Sequence, residues 1–149
     1  MIEKKLKKNA NKVDKFLINY LKKQKNSLLV RPMKYGVISG GKKIRSTVIF
    51  DFGKIFNLNE KKLINICAAV ECIHSYSLIH DDLPCMDNDT VRRGKPAAHI
   101  KFGEAPAVLA GSSLLTLAFE IISDKKYSLN FRHKNEIVRS LASCSGHTG

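Results

Sequence analysis

Leu63-Ile64-Asn65-Ile66-Cys67-Ala68-Ala69-Val70-Glu71-Cys72-Ile73-His74-Ser75-Tyr76-Ser77-Leu78-Ile79-His80-Asp81-Asp82-Leu83-Pro84 is the stretch whose reading decides the fold. From Leu63 to Ile79 it is apolar nearly all round, as a helix buried at the centre of a domain should be. A helix is therefore predicted over about residues 60–82. Pro84 ends it or kinks it, because proline disfavours helix at the residue before it. The turn Asn57-Leu58-Asn59-Glu60 precedes it, and either Asn suits its cap.

Chemistry gathers where this helix stops. Asp81, Asp82, Asp87 and Asp89 fall within nine residues. Asp81 and Asp82 sit near a helix C-terminus, where the macrodipole is negative and carboxylates are disfavoured without a cation. An all-oxygen set suits Mg²⁺, which binds through one or two carboxylates and completes its octahedron with waters and substrate phosphate. Arg92 and Arg93 follow, and guanidinium forks match phosphate oxygens. Asp, Asn and Pro clusters also make plain turns, and the carboxylates alone do not choose between turn and metal site. An EF-hand is excluded, since no Glu closes a twelve-residue loop.

The 149 residues, 44% of them hydrophobic, suffice for one domain with its own core. No apolar run reaches the eighteen or so residues of a membrane span, and the basic start Met1-Ile2-Glu3-Lys4-Lys5-Leu6-Lys7-Lys8 lacks a signal-peptide core. Cys67, Cys72, Cys85 and Cys144 form no Cys-x-x-Cys pair and read as reduced core or near-core thiols of a cytoplasmic protein. The net charge of +13 is concentrated in residues 1–45, which carry fourteen Lys/Arg and two acids. Those lysines occupy the polar side of an amphipathic helix without aromatics interleaved for base stacking. The reading is a solvated face and no nucleic-acid partner.

Leu6, Ala10, Val13, Leu17 and Tyr20 mark that first helix, and Pro32 lies beyond its end. A short segment, Met33 to Ile38, leads to the break Ser39-Gly40-Gly41. In Lys42 to Phe56, Thr47-Val48-Ile49-Phe50 suits a strand by propensity, while Ile44, Val48, Phe52, Ile55 and Phe56 suit a helix equally well. After Pro84 a loop runs to about Phe102. A helix from Glu104 to about Ser123 has Pro106 in its first turn, and a last one from about Phe131 to Ser143 is broken by Gly146 and Gly149. The expected class is all-α, one domain without repeats.

Gly36-Val37-Ile38-Ser39-Gly40-Gly41-Lys42-Lys43 nearly spells a P-loop, but Lys43 stands where Ser or Thr must hold Mg²⁺. The glycines still let backbone approach a phosphate, and Lys42, Lys43 and Arg45 supply charge.

Taken together, Gly40-Gly41-Lys42-x-x-Arg45, His74, Asp81-Asp82-x-x-x-x-Asp87 and Arg92-Arg93-Gly94 resemble the trans-polyprenyl diphosphate synthases. Glu71-Cys72-Ile73-His74-x-Tyr76-Ser77-Leu78-Ile79-His80-Asp81-Asp82-Leu83-Pro84-Cys85-Met86-Asp87 resembles the bacterial farnesyl type. So do Phe102-Gly103-Glu104-Ala105, Leu109-Ala110-Gly111 and Thr116-Leu117-Ala118-Phe119. The resemblance implies an isoprenoid-synthase-type helical bundle with residues 42–56 helical. It implies a prenyltransferase that joins isopentenyl diphosphate to dimethylallyl or geranyl diphosphate. Asp81 and Asp87, with Asp82 nearby, would bind Mg²⁺ in the first aspartate-rich motif. Lys42, Arg45, His74 and Arg93 would hold isopentenyl diphosphate, and Arg92 the allylic diphosphate. Tyr76, five residues before Asp81 and about 7.5 Å along the helix axis, would help close the floor of the chain cavity and set product length.

The family runs about twice as far, so residues 1–149 are expected to be the N-terminal part of one polyprenyl synthase domain, without the second aspartate-rich motif. Ser112 stands where the family usually has Asp, and Ser46 where it often has Pro. The alternative is an inactive or partner-dependent diphosphate-binding subunit, with a partner chain supplying the second motif. A complete enzyme is expected to be a homodimer. A class I terpene cyclase fits less well, because it leaves Gly40-Gly41-Lys42-x-x-Arg45 unexplained.

Overall fold

The computed structural model describes residues 2–24, 27–38, 40–127 and 129–148. Ser39 and Gly149, two of the residues expected to break helices, lie outside them. α1 (Ile2–Leu21) buries Ala10, Val13 and Leu17 of the predicted stripe, leaves Leu6 and Tyr20 half-buried, buries Leu21 beside them, and turns most of its lysines to solvent. Lys5 pairs with Asp51 at 2.6 Å, and Lys12 pairs with Glu60.

α2 (Val30–Val37) begins earlier than the expected Met33. Pro32 sits in its first turn, where no intrahelical N–H bond is lost.

α3 (Ile44–Ile55) settles the doubtful stretch as helix. Its buried face is not the apolar one. Ser46, Thr47, Phe50 and Gly53 point inward, whereas Ile44, Val48, Phe52, Ile55 and, just beyond, Phe56 are 48–71% exposed. Small inward residues permit close approach to the next helix: a Cβ at Gly53 would collide with Leu63 Cδ1. α3 ends in a Schellman motif, with Leu58 N–H donating to Gly53 O (2.8 Å) and Asn57 N–H to Lys54 O (3.1 Å). Asn57 takes the left-handed position there, at φ +53°.

α4 (Glu60–Asp81) is the predicted central helix, capped by Asn59, whose side chain accepts from Lys61 N–H at 2.9 Å. It packs chiefly on α6 (Glu104–Ser123), and also on α1, α2 and α3. Glycines set the close crossings. A Cβ at Gly36 of α2 would lie 2.5 Å from Ile79 Cδ1, and one at Gly111 of α6 would run into the His80 ring. Contrary to the expectation that no stretch reaches a membrane span, α4 and α6 are each long and apolar enough to cross one by length and composition. Here Cys67, Ala68, Ala69 and Cys72 of α4 and Ala110, Leu114, Leu117, Ala118 and Ile121 of α6 are buried in one common core.

The expected loop before α6 carries more order than its sequence announces. β1 (Val91–Arg92) and β2 (Lys95–Pro96) pair antiparallel, Arg92 opposite Lys95. The linking pair Arg93-Gly94 has φ of +54° and +72°, the signature of a type I′ turn. α5 (Ala98–Phe102) follows. Strands of two residues are too short to show alternation, and Arg is an unusual occupant of a left-handed position. α7 (Phe131–Ser145) is capped by Asn130, which accepts from His133 N–H at 2.8 Å. It rests Ile137, Val138 and Leu141 on the core without any fully buried residue.

The thiols divide. Cys67 and Cys72 are buried and unbridged, and burial pushes each up to about 12. Cys85 and Cys144 are exposed rather than near-core.

Candidate functional site

Two polar centres lie at separate positions along α4. The first forms around the start of α3. Lys42, Arg45, His74 and Arg93 line one cleft of about 100 Å³, together with Lys43, Ile44 and Glu71. Three distant stretches supply these groups: the residues at the start of α3, the α4 helix, and the hairpin turn. The type I′ turn is what carries Arg93 there. Its guanidinium lies against Gly41, where a Cβ would be 2.5 Å from Nη1. Gly41 thus matters because it leaves room for that side chain.

Burial, then the neighbouring Arg45, push His74 below its ordinary value; Arg93 and Lys43 act the same way and Glu71 opposes them. His74 is therefore a neutral hydrogen-bonding group at pH 7, in a cleft whose fixed positive charge comes from Lys42, Arg45 and Arg93.

Lys43 differs from the sequence expectation. It takes φ +45° and turns inward, only 5% exposed. Its Nζ donates to Val37 O at 2.9 Å and pairs with Asp14 at 3.3 Å. A buried ammonium must be paired, so its charge serves the contact of α1, α2 and α3 instead of the cleft.

The second centre is the loop after α4. Its backbone ties itself: Met86 N–H donates to Leu83 O (2.9 Å), Asp87 N–H to Asp81 O (2.8 Å) and Asn88 N–H to Leu83 O (3.0 Å). The Asp87 bond brings the backbones of Asp81 and Asp87 together although five residues separate them in sequence. Asp81 is half-buried, Asp87 is exposed, and neither carboxylate makes a hydrogen bond or ion pair among the described residues.

Asp82 faces elsewhere. It is buried, and it accepts from Arg92 Nε at 3.0 and 3.2 Å and again from Nη2. Asp89 accepts from the same Nη2 at 3.1 Å. The Asp82 contact raises the Arg92 pKa still further, so the guanidinium stays charged. The four acids therefore divide into an outward pair, Asp81 and Asp87, and a pair engaged by Arg92, Asp82 and Asp89.

Among the described residues no three His, Cys, Asp or Glu side chains gather to hold a metal. Two outward carboxylates fit a metal that takes only one or two protein ligands and completes its shell with water and phosphate, which is the habit of Mg²⁺. They do not fit an all-protein cage.

Tyr76 lies between the two centres, edge-on to His80 with ring centroids 4.7 Å apart. It lines an open groove of about 410 Å³ between α4 and α7, together with Arg45, Val70, Ile73, His74, Leu141 and Cys144. Ser112 is exposed, and its carbonyl accepts from Thr116 Oγ1 at 3.2 Å.

Comparison with known proteins places this architecture. The family described as Polyprenyl synthetase matches residues 26–148. Farnesyl diphosphate synthase of Escherichia coli K12 is 48% identical over 125 residues, 83% of this chain and 42% of that protein. The farnesyl diphosphate synthase of Buchnera aphidicola from Acyrthosiphon pisum is 53% identical over 73% of this chain and 38% of its own length. Among solved structures, an FPP/GFPP synthase from Zymomonas mobilis superposes with a TM-score of 0.92 at 40% identity, covering 97% of this chain and 52% of that one. The chain spans about half the length of these relatives or somewhat less. With its family profile, its sequence relatives and its helical bundle in agreement, the chain belongs to the polyprenyl synthetase family.

Proposed function

We propose that this chain forms the isopentenyl-binding and first metal-binding part of a farnesyl diphosphate synthase, an enzyme that condenses isopentenyl diphosphate with dimethylallyl or geranyl diphosphate. One observation carries the reading: Lys42, Arg45, His74 and Arg93, from three separate stretches, converge on one small cleft. A guanidinium pair, an ammonium and a neutral imidazole make a donor set suited to a diphosphate. His74 and Asp81 are seven residues apart, about 10 Å along α4, a spacing that lets two diphosphate esters lie side by side.

The chemistry asked of these residues is electrostatic. Ionisation of the allylic ester leaves a diphosphate and an allylic cation, the isopentenyl double bond attacks that cation, and loss of a proton restores an alkene. Asp81 and Asp87 would hold Mg²⁺, which when bound offsets the charge building on the leaving diphosphate. Lys42, Arg45, His74 and Arg93 hold the second substrate still. Arg92, held by Asp82 and Asp89 through Nε and Nη2, would use its Nη1 N–H groups as the allylic contact. The apolar wall of the α4–α7 groove receives the growing hydrocarbon, with Tyr76 towards its floor. The unbridged Cys67 and Cys72 agree with a reducing, cytoplasmic setting. A complete enzyme would be a homodimer.

The second reading, a diphosphate-binding subunit that needs a partner, is favoured by one finding: among the described residues no three His, Cys, Asp or Glu side chains gather to hold a metal, and Asp81 and Asp87 are the pair left for it. On that reading further ligands come from a separate chain carrying the half that the relatives possess.

Titration with isopentenyl diphosphate, with and without Mg²⁺, tests both. Arg45→Ala should weaken uptake about tenfold or more, as loss of a charged hydrogen bond does. Asp81→Ala should abolish only the Mg²⁺-dependent component. Folded protein that takes up no diphosphate ester rejects the assignment. Uptake without elongation of labelled substrate selects the subunit.

A further inference from the structure

We propose that Ser46 and Glu71 form a clamp that positions the cation cleft, holding the start of α3 against α4; this rests on the reading of that cleft as a diphosphate site. The N-terminus of α3 has no side-chain cap of its own, because Lys43 precedes it in a left-handed conformation with its side chain turned inward. First-turn N–H groups left without partners are costly when buried. Glu71 reaches across from α4 to meet this need. Its Oε1 accepts from Ser46 Oγ at 2.8 Å and from Ser46 N–H at 3.3 Å. A second contact closes the pair from below, Cys67 Sγ donating to Ser46 O at 3.6 Å. Ser46 is fully buried and Glu71 is 3% exposed.

A buried carboxylate facing arginine and lysine side chains is an odd component of a site that must attract an anion, since it cancels part of the positive charge. Its position explains the role. Arg45 is the residue before Ser46, and His74 is one helical turn beyond Glu71. The clamp therefore ties the backbone bearing Lys42 and Arg45 to the backbone bearing His74. A carboxylate at a helix N-terminus is also favoured by the dipole. Arg93, on the hairpin, is brought in independently. Displacing α3 by about an ångström would leave these groups unable to share one ligand, and rigid placement is what such a constellation depends on.

The test titrates inorganic diphosphate into the whole chain and its variants by calorimetry and follows the His74 ring by NMR across pH. Ser46→Ala should weaken diphosphate uptake about tenfold, and Ser46→Thr, which keeps the hydroxyl, should restore it to within about threefold. Glu71→Gln keeps an acceptor oxygen but removes the charge. It should leave the far-ultraviolet circular dichroism unchanged and move the His74 titration to lower pH, because Glu71 then no longer opposes Arg45, Lys43 and Arg93. A wild-type chain that takes up diphosphate while Ser46→Ala matches it and His74 is unmoved in Glu71→Gln overturns the clamp alone. A wild-type chain that takes up none overturns the cleft reading and the clamp with it.

Discussion

Gly41 and Gly53 both stand where a Cβ would collide with a neighbour, yet alanine at the two positions should be felt in different quantities. At Gly53 the neighbour is the buried Leu63 side chain, wedged between α3 and α4. Overpacking there costs about 1–3 kcal/mol, against about 1 kcal/mol gained from the better helix propensity of alanine. Gly53→Ala should therefore destabilise by about 1 kcal/mol, read from the denaturant midpoint. At Gly41 the neighbour is the far end of the Arg93 side chain, which can swing away. Gly41→Ala should leave the midpoint unchanged and weaken diphosphate uptake several-fold, because the displaced guanidinium is a member of the cleft. Lys42, Arg45, His74 and Arg93 were marked as one site only through the resemblance to a known family. Sequence reading misjudged Lys43, whose fate depends on a backbone angle that composition does not reveal. It passed over Glu71 as a cleft residue, although the one acid in the mostly apolar run from Leu63 to Ile79 was a visible sign that a buried partner awaited it.

At the scale of elements, the helices were legible because apolar spacing and punctuation agreed: α1, α4, α6 and α7 fall close to their expected limits. The β1–β2 hairpin and α5 were not, since each is too short for periodicity to register. α3 was legible as a helix only through family resemblance, and its inward face was the reverse of its apolar stripe. The groove between α4 and α7 supports a prediction of the same scale. Tyr76 lines it and meets edge-on the ring of His80, which itself packs against Gly111 of α6. In a complete enzyme built on this sequence, Tyr76→Ala should yield products longer than farnesyl diphosphate, resolved by chromatography of labelled prenyl alcohols. Unchanged chain length would place the floor of the groove on another helix.

For the molecule as a whole, two facts pull in opposite directions. The chain carries a net charge of +13, and the outer row of α3, Ile44, Val48, Phe52 and Ile55, faces solvent with Phe56 beside it. Contiguous apolar surface invites association, whereas like charge keeps copies apart. Repulsion reaches about 30 Å at 0.01 M salt and only about 3 Å at 1 M. Light scattering should accordingly rise as sodium chloride is added, the opposite of an assembly held by ion pairs, and Phe52→Lys should suppress the rise. The practical consequence is colloidal: dilute buffer disperses this protein, and brine clouds it.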